Sequence, residues 1–203
     1  MVINFIHIPK NGGSSIREST NNSSSIVYNG HDTDVYNTNL SNQLVVIRNP
    51  IDRFISSVYY SLQIWSHEPQ VKYLISKNID TPDKWVQIWS DPKHPYHDNL
   101  MLEMINKSHF IGNKLNKYKW TYSPQNLWIN NPKFVIIMDN FKTDLQYFFT
   151  KYKIKHFDIK KINSTHHKDY NLSVESIDFL KNFYKEDFIL YEKYKNMSIE
   201  KRL

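Results

Sequence analysis

Two segments of the chain are apolar at every position, and they leave little choice of fold. Leu44-Val45-Val46-Ile47 and Phe134-Val135-Ile136-Ile137-Met138 lack the alternation of a half-exposed strand, so a strand built from either is buried on both faces. Such strands sit inside a parallel sheet covered by helices. Residues 2–8 are apolar and β-branched in the same way, and 25–28 supplies a further short strand. Between strands the spacing becomes helical. Asn49-Pro50 favours a turn and a helix that begins at Pro50. Ile51, Phe54, Ile55, Val58, Tyr59 and Leu62 then recur at the period of one helical face. A helix is predicted over about 143–152, and another begins with a capping-box start at Ser173 and runs to about Tyr184. Strands alternating with helices predict an α/β fold, a three-layer sandwich around a central parallel sheet.

The 203 residues predict a single domain over 1–203. Its middle, about 68–131, differs in texture. It is rich in Trp, His and Pro, and it is predicted to be helical in pieces such as 81–89 and 97–105. There is no cysteine, which excludes a disulfide scaffold, a thiolate metal site and a cysteine nucleophile together. No segment approaches the roughly 18 apolar residues of a membrane span. The opening Met1-Val2-Ile3-Asn4 lacks the pattern of a secretory signal, so a cytoplasmic protein with no membrane partner is expected. An excess of 26 Lys and Arg over 20 Asp and Glu gives a charge of +6 and a pI near 9.2. That suits an anionic partner, but the lysines are spread along the chain in the manner of a solvated surface.

The sharpest local feature is His7-Ile8-Pro9-Lys10-Asn11-Gly12-Gly13-Ser14-Ser15-Ile16. A buried strand runs into a Gly-Gly turn and then a helix start bearing two hydroxyl residues. The arrangement aims backbone N–H groups at one spot, with Lys10 as a mobile cation beside it, and reads as a phosphate or sulfate cradle. It is not a Walker A loop, because Lys10 precedes the glycines. A second feature adds weight. Arg48 ends a buried strand, and Ser56 falls two turns into the helix that follows. Ligands of α/β sheets collect at the carboxyl ends of strands, so Lys10 and Arg48 are expected on one rim, with Arg48 and Ser56 sharing a second anion.

These two segments resemble the nucleotide-binding motifs of the sulfotransferases, more narrowly the carbohydrate sulfotransferases of the heparan sulfate 2-O-sulfotransferase type. Ser123-Pro124-Gln125, Met138-Asp139-Asn140-Phe141, residues 163–168 and Asp187-Phe188-Ile189-Leu190-Tyr191 extend the likeness over most of the chain, with 68–116 the weakest part. Asn11 stands where Thr is common and Asn49 where Asp is common. The resemblance implies 3′-phosphoadenosine 5′-phosphosulfate (PAPS) as donor and a P-loop-like phosphosulfate-binding loop. It assigns Lys10, Asn11, Gly12, Gly13, Ser14 and Ser15 to the 5′-phosphosulfate, and Arg48 and Ser56 to the 3′-phosphate. Lys168 is expected to cover the adenine or the 3′-phosphate. The acceptor would be a hydroxyl on a carbohydrate or small molecule.

Sulfuryl transfer also needs a group that takes the hydroxyl proton, normally His or a carboxylate. His31, in Tyr28-Asn29-Gly30-His31-Asp32, lies just past the second strand on the same rim, and the family places its base in a Gly-His there. His31 is therefore the expected base, with Lys10 neutralising the leaving oxygen and Asp32 and Asp34 as fallback bases or orienters of the His. His94-x-x-His97 is interrupted by Pro95 and has no third ligand at motif spacing, so no metal is expected. The large residues Trp85, Trp89, Trp120 and Trp128 are assigned mostly to the core, with some forming an acceptor wall. A nucleotide kinase-like phosphotransferase and a non-catalytic basic nucleic-acid-binding protein remain alternatives. The missing Walker Lys-Ser/Thr pair counts against the first and the even spread of Lys against the second.

Overall fold

In the computed structural model the chain is described over residues 1–20, 23–36, 40–111, 114–156, 158–159 and 171–203, with the backbone alone at 106–110 and 114–115. In chain order the elements are β1 (Ile3–Ile6), α1 (Gly13–Ser19), β2 (Ile26–Asn29), β3 (Gln43–Ile47), α2 (Pro50–Ile64), α3 (Pro69–Ser76), α4 (Pro82–Ser90), α5 (His97–Met104), β4 (Ile105–Ile111), β5 (Lys114–Tyr118), β6 (Phe134–Ile137), α6 (Phe141–Lys151), α7 (Val174–Phe183), α8 (Lys185–Lys195) and α9 (Ile199–Arg202). A 3-10 turn spans Gln125–Trp128.

The continuous apolar segments form the sheet, in the order β2-β1-β3-β6. Every pairing is parallel: Ile3 faces Ile26, Phe5 faces Leu44, and Val45 faces Val135. The fold class is thus α/β with a parallel sheet, as expected. Alternate side chains serve opposite faces. Ile3, Phe5, Leu44, Val46, Phe134 and Ile136 pack with Ile16 of α1 and Leu145, Phe148 and Phe149 of α6. Ile6, Val45, Ile47, Val135 and Ile137 pack with Leu127, Trp128 and Tyr191 of α8. Each such side chain stabilises the fold by roughly 1.5–3 kcal/mol through burial. A third core gathers α2, α4, α5 and α7 around Trp85 and Tyr122.

Local signals hold where they were read. The Asn49 side chain caps α2 by accepting from the Ile51 and Asp52 amides, and Pro50 supplies a first-turn residue with no N–H to satisfy. Ser173 caps α7 by accepting from the Ser176 amide. The helices expected over 81–89, over 97–105 and from Ser173 to about Tyr184 are present as α4, α5 and α7. The middle region also holds an unexpected antiparallel hairpin, in which Ile105–Ile111 pairs with Lys114–Tyr118, so Ile105 opens a strand rather than closing α5. A further helix, α8, starts at Lys185. Among the described residues no helix is long and apolar enough to cross a membrane.

The strand order positions the site. From β1 the chain crosses to β2 on one side, then passes back over β1 to β3 and on to β6 on the other. The carboxyl ends of β1 and β3 therefore flank a topological switch point, where connections depart in opposite directions and leave a crevice.

Candidate functional site

The loop leaving β1 is held in an unusual shape. Lys10 has φ 67° and Gly12 has φ 75°; glycine adopts the second freely, while a lysine in the left-handed region is uncommon and persists only where its surroundings enforce it. The enforcement is visible. Arg48 Nη1 donates to the Lys10 carbonyl at 3.0 Å, and Arg53 Nε donates to the Pro9 carbonyl at 3.0 Å. Asn11 Nδ2 donates to the Val46 carbonyl at 2.7 Å and to Gln125 Oε1 at 2.9 Å. Gln125 in turn clasps the end of β3, accepting from the Arg48 amide and donating to the Arg48 carbonyl at 2.8 Å. The Asp187 carboxylate of α8 fixes that clasp by accepting from the Gln125 and Asn126 amides at 2.7 and 2.9 Å. Its burial raises the Asp187 pKa to about 6, against the pull of Arg53 and those two amides.

Three cations meet at this crevice. Lys10 Nζ sits 3.9 Å over the Tyr60 ring, a cation–π contact that supplies part of the stabilisation water would give. Burial, and then the charges of Arg48 and Arg53, lower the Lys10 pKa to about 7. Arg53 is wholly buried and also donates to the carbonyls of Ser123 at 2.7 Å and Trp120 at 3.1 Å. Ser56 is buried one helical turn before Tyr60, on the same side of α2. Helix α1 is seven residues long, so the charge of the crevice comes chiefly from these side chains.

The other half of the site lies past β2. His31 Nδ1 donates to the His7 carbonyl at 2.9 Å, which leaves the Nε2 lone pair as the ring's proton acceptor. Burial is the main reason its pKa falls below the ordinary value; the His7 hydrogen bond and Asp32 act the other way, and Arg53 lowers it further. The imidazole is therefore neutral at neutral pH. Its backbone is anchored by Trp128 Nε1, which donates to the His31 carbonyl at 2.7 Å. A cavity of about 420 Å³ opens beside it, lined by His7, Ser14, Arg17, Glu18, Tyr28 and His31. The two halves feel each other: the charge of Lys10 helps to lower the His7 pKa, and that of Arg53 lowers His31.

Of the residues read from the sequence, Lys10 and Arg48 are brought into direct contact, and His31 and Ser14 face the cavity. Ser15 and Ser56 are buried. Asn11 is also buried, its amide spent on β3 and Gln125, while its Oδ1 accepts no hydrogen bond among the described residues. Lys168 lies outside the described residues. At Gly13 a Cβ would stand 1.9 Å from His7 Cδ2, so the missing side chain makes room for the His7 ring against the loop. At Gly12 a Cβ would meet Phe141 at 3.0 Å and Met138 Sδ at 3.3 Å.

Sequence reasoning assigned no role to Arg53, Gln125, Asp187 or His7. Arg53 carried one faint signal, a charge set between Ile51, Phe54 and Ile55 on an otherwise apolar helix face. Trp85, Trp89 and Trp128 are core, whereas Trp120 is 41 % exposed with its ring 5.3 Å from that of His31. Among the described residues no three His, Asp or Glu side chains gather as a metal would require. The chain matches no family model, no curated protein and no solved structure, so the site is read from its own geometry.

Proposed function

We propose that this chain is a PAPS-dependent sulfotransferase, a three-layer α/β sandwich whose loop 10–15 is a P-loop-like phosphosulfate cradle, acting on a hydroxyl of a carbohydrate. The observation that carries the proposal is the Arg48–Lys10 contact across the switch point, together with His31, which feels the charge of Arg53 and is held in its Nδ1–H tautomer by the His7 carbonyl. Cations from two separate segments, locked together where α/β sheets bind nucleotides, suit a ligand bearing two anionic groups. In this reading Lys10 and the loop Asn11, Gly12, Gly13, Ser14 and Ser15 take the 5′-phosphosulfate. Arg48, with Ser56, takes the 3′-phosphate. The donor set fits such a ligand: Lys10 is cationic only in part near neutral pH, and a bound phosphate would restore its charge.

The acceptor hydroxyl enters the cavity before His31. Its oxygen attacks sulfur in line, so the acceptor O–S bond forms as the bond from sulfur to the bridging phosphate oxygen breaks. The electron pair of that bond stays on the phosphate, giving adenosine 3′,5′-bisphosphate. The hydroxyl proton passes to His31 Nε2, and Lys10 neutralises the departing oxygen. The exposed face of Trp120, against His31, offers a plane for a sugar ring.

Calorimetric titration with adenosine 3′,5′-bisphosphate, and with ATP–Mg²⁺ in parallel, tests the proposal. Binding of the bisphosphate in preference to ATP is expected, with Arg48→Ala weakening it by about 1.5–3 kcal/mol, the worth of a hydrogen bond to a charged group. Binding of ATP–Mg²⁺ alone would overturn the proposal in favour of a phosphotransferase.

A further inference from the structure

His7 is wedged between the two halves of the site, and nothing in the mechanism above uses its side chain. Its Nε2 edge lies against the loop: a Cβ on Gly13 would stand 2.2 Å from His7 Nε2. On its other side the ring is 4.2 Å from the ring of His31, centroid to centroid, and it lines the cavity. Tyr28 Oη is in close hydrogen-bond contact with His7 Nδ1. The ring therefore stands between the loop at Gly13 and the His31 ring.

The protonation of the pair is set by its surroundings. Burial, then the charges of His31, Arg17 and Lys10, lower the His7 pKa to about 3, so the imidazole stays neutral and carries one N–H. Burial raises the Tyr28 pKa to about 12, so its hydroxyl keeps its proton and has it to donate. With Nδ1 accepting that proton, the N–H of His7 is on Nε2. The opposite tautomer would turn a lone pair toward an anion in the loop, so a bound anion selects the same arrangement.

We propose that His7 is a further catalytic residue, whose Nε2–H donates to a non-bridging oxygen of the sulfuryl group during transfer, and that Tyr28 is a positioning residue that holds His7 in this tautomer. The proposal rests on the sulfotransferase reading above. The bonds made and broken are those already given, and His7 keeps its proton throughout. Neutrality matters here. A cationic donor beside His31 would oppose protonation of the base, while a neutral one stabilises the charge on the sulfuryl oxygens without that penalty.

PAPS and adenosine 3′,5′-bisphosphate differ only in the sulfuryl group, so their affinities isolate the contact without an acceptor. Both would be titrated calorimetrically into the wild type, His7→Phe, His7→Gln and Tyr28→Phe. Phe fills the ring's space without a donor, and Gln restores an N–H near Nε2. His7→Phe should lose roughly tenfold or more in PAPS affinity while binding the bisphosphate within about twofold of wild type. His7→Gln should recover most of that loss, and Tyr28→Phe should lose PAPS affinity less, and selectively. Equal losses for the two ligands in His7→Phe would reveal a merely structural ring and overturn the inference, as would unchanged PAPS affinity. A wild type that binds neither ligand would overturn the sulfotransferase reading and this inference with it, whereas a wild type that binds both beside an unaffected His7→Phe would overturn this inference alone.

Discussion

Lys10 is expected to take up a proton when the anion site fills, and the size of the effect follows from its surroundings. Burial beside Arg48, Arg53 and the Tyr60 ring holds its pKa at about 7 in the ligand-free protein. A phosphate against Nζ would return that pKa toward its usual range near 10.4. Only the cationic form binds well, so affinity should fall as pH rises above 7. The ligand's own phosphates titrate near pH 6, so the window from pH 7.5 to 9 isolates the lysine. Across it the protonated fraction drops roughly twentyfold, a loss of about 2 kcal/mol in the binding of adenosine 3′,5′-bisphosphate. At pH 8 the lysine is about 90 % neutral beforehand, so binding should absorb about 0.9 proton. Calorimetry in buffers of different ionisation heat reads that number as a slope. Lys10→Arg keeps the charge at every pH in the window and should flatten both the affinity and the proton uptake. A wild type with no proton uptake at pH 8, and the same pH profile as Lys10→Arg, would refute the reasoning.

Gly13→Ala drives a Cβ to 1.9 Å from His7 Cδ2 and should destabilise the fold by about 1–3 kcal/mol in urea denaturation. Adding His7→Ala should recover much of that, and strictly additive losses would show that the two do not compete for the same space. Arg53→Met leaves the carbonyls of Pro9, Ser123 and Trp120 without their donor; at about 1–3 kcal/mol for each buried acceptor, a loss of at least ~3 kcal/mol is expected, and one below ~1 kcal/mol would deny the guanidinium its bracing role. Asp187 releases its proton near 3.8 when unfolded and near 6 in the fold. Between those values the folded protein holds more protons, so its contribution to stability is complete below about pH 4 and declines by roughly 3 kcal/mol as pH rises to about 6. Asp187→Asn should remove that decline, and identical slopes for the two proteins in urea melts at pH 4, 5 and 6 would refute it.

How much of the site could be read in advance depends on how far apart its parts lie in the chain. The left-handed turn needs glycine at Gly12, and the helix start at Pro50 needs no partner beyond Asn49; such features are visible in a few consecutive residues. The hairpin β4–β5 left a weaker mark, Gly112-Asn113 between Ile111 and Lys114, a pair that suits a tight turn but sits among polar residues without clear alternation. The break between α7 and α8 has no glycine or proline to announce it. Gln125, Asp187 and His7 gave no local sign of their roles, and Arg53 only a faint one, because each acts through partners elsewhere. Asn11 and Gln125 are 114 residues apart, and Trp128 reaches His31 across 97.

The sequence by itself determined the parallel sheet, since strands apolar at every position have no stable place except between two layers. It also determined where the chain must turn and which segments carry the cations and the histidine. Only the tertiary structure decided the strand order β2-β1-β3-β6, which opens the crevice between β1 and β3 and sets Arg48 on the Lys10 carbonyl. It likewise decided that Lys10 would be depressed to about 7 and His7 to about 3. Those values come from burial and from charges brought close by folding, and neither is a property of the neighbouring residues in the chain.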